Sequence, residues 1–364
     1  MASPLLSVAN VRFRFERGSR PEVDGVSFSL HAGRTFGVLG GNGCGKTTLA
    51  QILLGNLAPE SGEVLLFGES VARRERRWPS IVRYLLFGCA LIAAILIAAR
   101  PAWYQAAWSA GGWSVPLLLV LLEGAHQAHS WLAGTALGGP GGRALETGWA
   151  PDSMRRRGVA YASSEHDAGQ KLPAEMSIED AIAQHMPLPK AASDVRRREV
   201  IAALEASGFR LYTANGEPTG NAEQYVRDGL KCGELSGGQK HLIYLLSVLA
   251  SRPRLLICDE CLCGLDIDRQ SSFVQLLQKL QLRFGMAIVF LTVDLTSFTL
   301  MAHDAAFMSK RGRFLETGTA HDLVEKPQRK DTQVYVQLSE DNEQRSHGKN
   351  LRQAYQKNES VFSL

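Results

Sequence analysis

The strongest constraint on the fold is one octapeptide, Gly40-Gly41-Asn42-Gly43-Cys44-Gly45-Lys46-Thr47. It follows Thr35 to Leu39, a short apolar run of strand length. It precedes Thr47 to Leu57, where apolar residues recur at helical period. Glycines adopt positive φ at no steric cost, so successive backbone N–H groups can close around an anion. The helix that follows points the positive end of its dipole at the same place. G-x-x-x-x-G-K-[ST] in a strand–loop–helix context is therefore a phosphate loop. In such a loop Lys46 reaches the β- and γ-phosphates and Thr47 ligates Mg²⁺. Thr48 is grouped with the nucleotide contacts.

The flanking sequence alternates strands and helices. Ser7 to Phe15 and Gly25 to Leu30 alternate apolar and polar residues as strands do. Arg254 to Cys258 and Met286 to Thr292 are continuous apolar runs, as in strands covered on both faces, with a helix over Gln239 to Ala250 between this pair and the upstream strands. The pattern predicts an α/β fold with a mostly parallel sheet. Leu255-Leu256-Ile257-Cys258 leads into Asp259 and Glu260. On such a strand the first acid holds Mg²⁺ and the second polarises the attacking water, which makes Glu260 the candidate catalytic residue.

Leu235-Ser236-Gly237-Gly238-Gln239 supplies a third anion site at a helix start. With the phosphate loop and the acidic strand end, it resembles the ATP-binding cassette (ABC) ATPase family over about residues 5–71 and 155–326. The resemblance implies a P-loop NTPase cassette with a RecA-like core, an antiparallel β-subdomain and a helical subdomain at about 173–234. It implies ATP and Mg²⁺ as ligands, a second cassette as partner and a transmembrane transporter subunit. Ser236, Gly237, Gly238 and Gln239 would cap the γ-phosphate of ATP held by the opposite cassette. Phe15 stands where the family stacks an aromatic on adenine. Asp266, in Gly264-Leu265-Asp266, stands where an aspartate touches the partner. The run from Leu255 through Lys326, with Phe314 to Gln328 near its end, resembles peptide and nickel importers most.

Two positions depart from the family pattern. The histidine that usually follows the strand after Asp259 and Glu260 is replaced in Thr292-Val293-Asp294. The glutamine that usually follows the strand near residue 160 is replaced by Ser163 or Ser164. Both missing groups position the γ-phosphate or water. ATP binding is expected to survive and hydrolysis to be slow, since one lost positioning donor costs roughly 10²–10³-fold. The alternatives to a transporter ATPase are a degenerate regulatory cassette of a heterodimer and a soluble, non-transport cassette.

Composition is uneven. All six tryptophans lie between Trp78 and Trp149, and no lysine occurs between Lys46 and Lys171. Tyr84 to Ala99 and Ala102 to Leu122 carry no charge. Residues 72–154 are read as an inserted hydrophobic segment, a two-helix membrane hairpin. Its first span is Ile81 to Ala99, and its second is Ala102 to Leu122 or Trp113 to Leu132. Glu123, His126 and His129 read as a polar helix end. Residues 327–364 are Gln- and Lys-rich and read as a flexible, solvated tail. A net charge of +4 gives no footprint for nucleic acid. Six cysteines in 364 residues make no disulfide framework. Cys258, Cys261 and Cys263 are read as small residues of a tight loop rather than metal ligands. No signal peptide is read in the first residues. The expected location is the cytoplasmic side of a membrane.

Overall fold

The computed structural model describes residues 3–16, 18–71, 150, 152–164, 172–188, 192–212, 217–263 and 265–345. The chain divides into two units, Met1–Ala72 with Ala144–Leu364, and Arg73–Arg143. The second unit, and with it the expected membrane hairpin, lies outside the described residues. Among the described residues no helix is long and apolar enough to cross a membrane.

Two sheets organise the first unit. Strands β1 (Leu6–Phe13), β2 (Val23–Leu30), β4 (Ser61–Leu66) and β5 (Glu69–Ser70) form an antiparallel sheet in the order β2-β1-β4-β5. Apolar alternation seats it. Leu6, Val8, Val11 and Phe13 of β1 turn inward while Ala9, Asn10 and Arg12 face out. The second sheet has six strands: β3 (Thr35–Leu39), β6 (Val159–Ser163), β9 (Leu255–Asp259), β10 (Ala287–Thr292), β11 (Asp304–Met308) and β12 (Phe314–Thr319). Their order is β12-β11-β3-β10-β9-β6, all parallel except the edge strand β12. Every residue of β3, β6, β9 and β10 is buried. That is why these strands read as unbroken apolar runs.

Helix α1 (Lys46–Leu53) follows β3. The expected helix over Thr47 to Leu57 ends four residues early, because Gly55 takes a φ of 70° just past the cap. One core joins the antiparallel sheet, α1 and one face of the large sheet, with Leu49, Ile52 and Val289 among its buried residues. A second core lies on the other face. It gathers α3 (Ile178–Ala183), α4 (Ser193–Ala206), α5 (Ala222–Arg227), α6 (Gly237–Ala250) and α7 (Ile267–Phe284) around Phe209, Tyr244 and Phe273. The expected helical stretch 173–234 also carries a short antiparallel pair, β7 (Leu211–Tyr212) and β8 (Pro218–Thr219). α2 (Asp152–Arg156) leads into β6.

The expected flexible tail needs correction. After α8 (Leu295–Met301) and α9 (Ala320–Glu325), residues Lys330–Arg345 form a helix, α10. Thr332 and Val336, one turn apart, are buried. Val336 joins a third core with Leu39, Phe298, Phe307 and Leu323. Of its apolar residues Val334 and Leu338 are exposed, Tyr335 is half-buried and Val336 is buried, so the composition looks solvated while one narrow face is not. Residues 346–364 lie outside the described residues.

Candidate functional site

Strands β3, β10 and β9 lie side by side, so their C-terminal ends meet at one edge. Leu39 pairs with Thr292, and Asp259 with Leu291. The phosphate loop, the Asp259-Glu260 pair and Val293 are thereby brought together, in the crevice where open α/β sheets bind ligands.

The loop holds a strained shape. Gly45 sits at a φ of 104°, and a Cβ there would stand 2.2 Å from the Glu22 carbonyl oxygen. A Cβ on Gly40 would stand 2.6 Å from the Met308 carbonyl oxygen. Only glycine fits both places, so the cradle is fixed by the neighbouring backbone. Asn42 and Gly43 face solvent, while Cys44 is packed beneath them. Thr47 is exposed at the first turn of α1, and Thr48 is half-buried.

Lys46 is buried and folded back. Its Nζ donates to the Gly40 carbonyl at 2.7 Å and the Gly41 carbonyl at 3.2 Å. It also pairs with Glu260 Oε1 at 3.2 Å. Glu260 has a φ of 53°, an uncommon conformation for a side chain with a Cβ. Its Oε2 accepts the Val293 N–H at 3.2 Å, and its own N–H bonds the Leu291 carbonyl at 2.9 Å.

Asp259 lies against the sheet, and its Oδ2 accepts the Tyr161 hydroxyl at 3.2 Å. Its Oδ1 is buried and has no donor among the described residues. Burial pushes its carboxyl up to about 6, and the neighbouring Glu260 adds to this, against the Thr47 and Tyr161 hydrogen bonds and the Lys46 charge. A buried acid with an unsatisfied oxygen beside an exposed threonine hydroxyl is a donor set that suits a hard divalent cation. The raised value gives a sign. In metal-free protein, folding favours the protonated acid, so stability falls as pH rises from the ordinary carboxylate range through about 6. Asp259→Asn is therefore expected to raise the metal-free melting temperature at pH 8 more than at pH 5. It should also abolish any further stabilisation by Mg²⁺ with ATP. Thermal melts at the two pH values check both.

At the start of α6, the Ser236 hydroxyl accepts the Gln239 N–H, while Gln239 Oε1 accepts the Ser236 N–H at 2.9 Å. Gln239 is buried, and its Nε2 donates to the Arg210 carbonyl at 3.1 Å. Gln239, expected to contact nucleotide held by an opposite cassette, closes the cap of α6 in the single chain. Gly237 and Gly238 carry the helix's unpaired first-turn donors. Asp266 caps α7 by accepting the Arg269 N–H at 3.0 Å and stays exposed. Phe15 lies beyond β1, 62% exposed, its ring edge-on to Phe13. An aromatic that open is free to stack. Ser163 is buried at the end of β6, and Ser164 is half-buried. Cys258 and Cys261 are buried, and the Cys263 thiol, pushed up to about 11 by burial and by Glu260, stays protonated. Among the described residues no metal-binding cluster of three or more His, Cys, Asp or Glu is present.

Two contributors were missed in the sequence. Tyr161 reads as one more apolar strand residue. Tyr335 of α10 reaches the site from a stretch whose composition hides it, and the Thr332–Val336 spacing is the signal that could have found it.

The phosphate loop around Lys46, the Asp259-Glu260 end of β9 and the capped start of α6 sit on a mixed α/β sheet of the ABC-cassette type. Solved structures share that fold. CbiO1 from Clostridium perfringens, part of the ABC transporter complex CbiONQ, matches with a TM-score of 0.54 at 20% identity, over 89% of this chain and 92% of that one. An ATP-binding cassette of an ABC transporter in its ADP conformation matches with a TM-score of 0.55 at 15% identity, over 92% and 99%. The ABC transporter family matches residues 23–87. Among curated relatives, a putative peptide import ATP-binding protein of Brucella abortus (strain 2308) is 26% identical over 86% of this chain and 70% of its own length. The oligopeptide transport ATP-binding protein OppF of Bacillus subtilis (strain 168) is 24% identical over 90% and 79%.

Proposed function

We propose that this chain is the ATP-binding subunit of an ABC-type membrane transporter, with MgATP as ligand and a second cassette as partner. The carrying observation is the buried Lys46 at the phosphate loop, ion-paired with Glu260 just past the end of β9. The names of its relatives, peptide and oligopeptide import ATP-binding proteins, favour import of a peptide-like solute. Titration with a fluorescent ATP analogue should saturate, and purification from membranes should carry a transmembrane subunit along. A chain that binds no ATP analogue is not this subunit.

The chain's own residues divide the work. Backbone N–H groups from Gly43 to Lys46 surround the phosphates, and Phe15 stacks on the base. Lys46 leaves the Gly40 and Gly41 carbonyls and Glu260 to meet the β- and γ-phosphates. Thr47 and Asp259 would hold Mg²⁺, whose charge would offset that of the phosphates. Glu260 takes a proton from the attacking water, kept in place by the Val293 N–H. Ser236, Gly237 and Gly238 close the site from the opposite cassette, beside Asp266. A second reading, a regulatory cassette that binds ATP with little turnover, is favoured by Val293 and by Ser163-Ser164.

We further propose that the hydrophobic segment from residue 72, ending before the buried Ala150 and Met154, crosses the bilayer twice. Residues on either side of it belong to one unit, so the number of crossings is even. Arg73, Arg74, Arg76 and Arg77 precede the first apolar span, and Arg155, Arg156 and Arg157 follow the second, as the positive-inside rule asks of cytoplasmic ends. The chain expressed alone should resist carbonate extraction, whereas a version lacking Trp78 to Trp149 should wash off. Equal behaviour of the two would make the segment a soluble docking surface.

A further inference from the structure

Helix α10 delivers one side chain to the catalytic edge. The Tyr335 hydroxyl donates to the Val293 carbonyl at 2.8 Å. Its ring packs on Phe307, 5.2 Å between centroids. The same ring borders the phosphate loop: a Cβ on Gly41 would lie 3.8 Å from it. Val293 is the residue that stands where a histidine was expected. Its carbonyl is held by Tyr335 and its N–H holds Glu260 Oε2, so residue 293 is tied from both sides. Glu260 in turn reaches Lys46. The connection therefore runs unbroken from α10 through one backbone residue to the two charged groups of the site.

We propose that Tyr335 is a positioning residue for ATP hydrolysis: by fixing the Val293 backbone it keeps Glu260 aimed, in place of the absent histidine. The inference rests on the ATPase reading above. Three features support it. The hydroxyl is spent on a carbonyl in the chain segment that leaves β10, not on a partner within its own helix. Burial, first, and then Glu260 push the Tyr335 phenol up to about 12, so it remains a protonated donor at neutral pH. The Val293 side chain offers no donor or acceptor, so the backbone is all that residue 293 can contribute.

The test uses the full chain and the variants Tyr335→Phe, Val293→His and the pair. Hydrolysis of radiolabelled MgATP is measured in single turnover with protein in excess, alongside MgATP affinity and melting temperature. Tyr335→Phe deletes only the hydroxyl. It should slow hydrolysis roughly threefold to tenfold, the span of one lost neutral hydrogen bond, and leave affinity unchanged. In the Val293→His background the loss should shrink, because an imidazole supplies its own donor and the two sites are coupled. Equal hydrolysis by native protein and Tyr335→Phe, zero included, overturns the role. So does faster hydrolysis in Tyr335→Phe, which would make α10 an inhibitory cap. An equal loss in both backgrounds with a lowered melting temperature also overturns it, leaving Tyr335 as an anchor of α10 alone. Absence of MgATP binding in the native protein would instead sink the ATPase reading itself, and the affinity arm separates that case.

Discussion

Replacing Lys46 by alanine is expected to reduce affinity for an ATP analogue by roughly 10²–10⁴-fold, the effect of two charge-assisted bonds to phosphate at about 1.5–3 kcal/mol each. The side chain is placed for this. It is buried, with its Nζ resting on carbonyls of the loop that would hold the phosphates. The ammonium has little rearrangement to make: it exchanges two neutral acceptors and one carboxylate for phosphate oxygens. The alanine variant also leaves Glu260 without its cation partner, so the metal-free protein should melt lower. Equilibrium titration with a fluorescent analogue and thermal melts report the two effects separately. Equal affinity in the two proteins would remove the nucleotide from this loop.

Glu260→Gln should show the opposite separation. The amide oxygen can still accept the Val293 N–H, so the local backbone is retained. Basicity is lost, and removal of a positioned general base costs roughly 10²–10⁴-fold in turnover. Affinity should hold or rise. In the nucleotide-free site Lys46 is paired with Glu260 at 3.2 Å, and an uncharged partner releases it more readily to phosphate. The expected gain is a few-fold, about 1 kcal/mol, the scale of a partly solvated ion pair. Single-turnover hydrolysis and the same titration measure both numbers. Unchanged hydrolysis in Glu260→Gln would pass the base to another residue.

The parts of the site that were legible in the sequence are those encoded over a few adjacent positions. The loop from Gly40 to Thr47 carries its glycines, cation and hydroxyl in order, and β9 runs apolar into two acids. Contacts between distant segments were not legible. Nothing in the sequence says that Lys46 rests on Glu260, 214 positions away, or that Tyr161 reaches Asp259. Gln239 carried a family role by position, yet the capping box with Ser236 turns it inward. Propensity also misled at α1, where the apolar period continues to Leu57 but Gly55 stops the helix. The tail was misread because α10 is docked by few apolar residues, and mean composition does not register a one-sided helix.

The position of β3 in its sheet has a consequence for how the chain is made. Among the described residues its strand neighbours are β10 and β11, and Thr35 pairs with Ile288. On the ribosome, a finished phosphate loop waits for partners that emerge some 250 residues later, roughly 12–50 s at ordinary elongation rates. During that interval the apolar stretches Tyr84 to Ala99 and Ala102 to Leu122 are already outside, while half of the cassette's core does not yet exist. Late closure of this kind makes folding slow and exposes sticky surface. Prompt capture of those stretches by a bilayer would shelter the half-built cassette until β10, β11 and finally α10 arrive to close it.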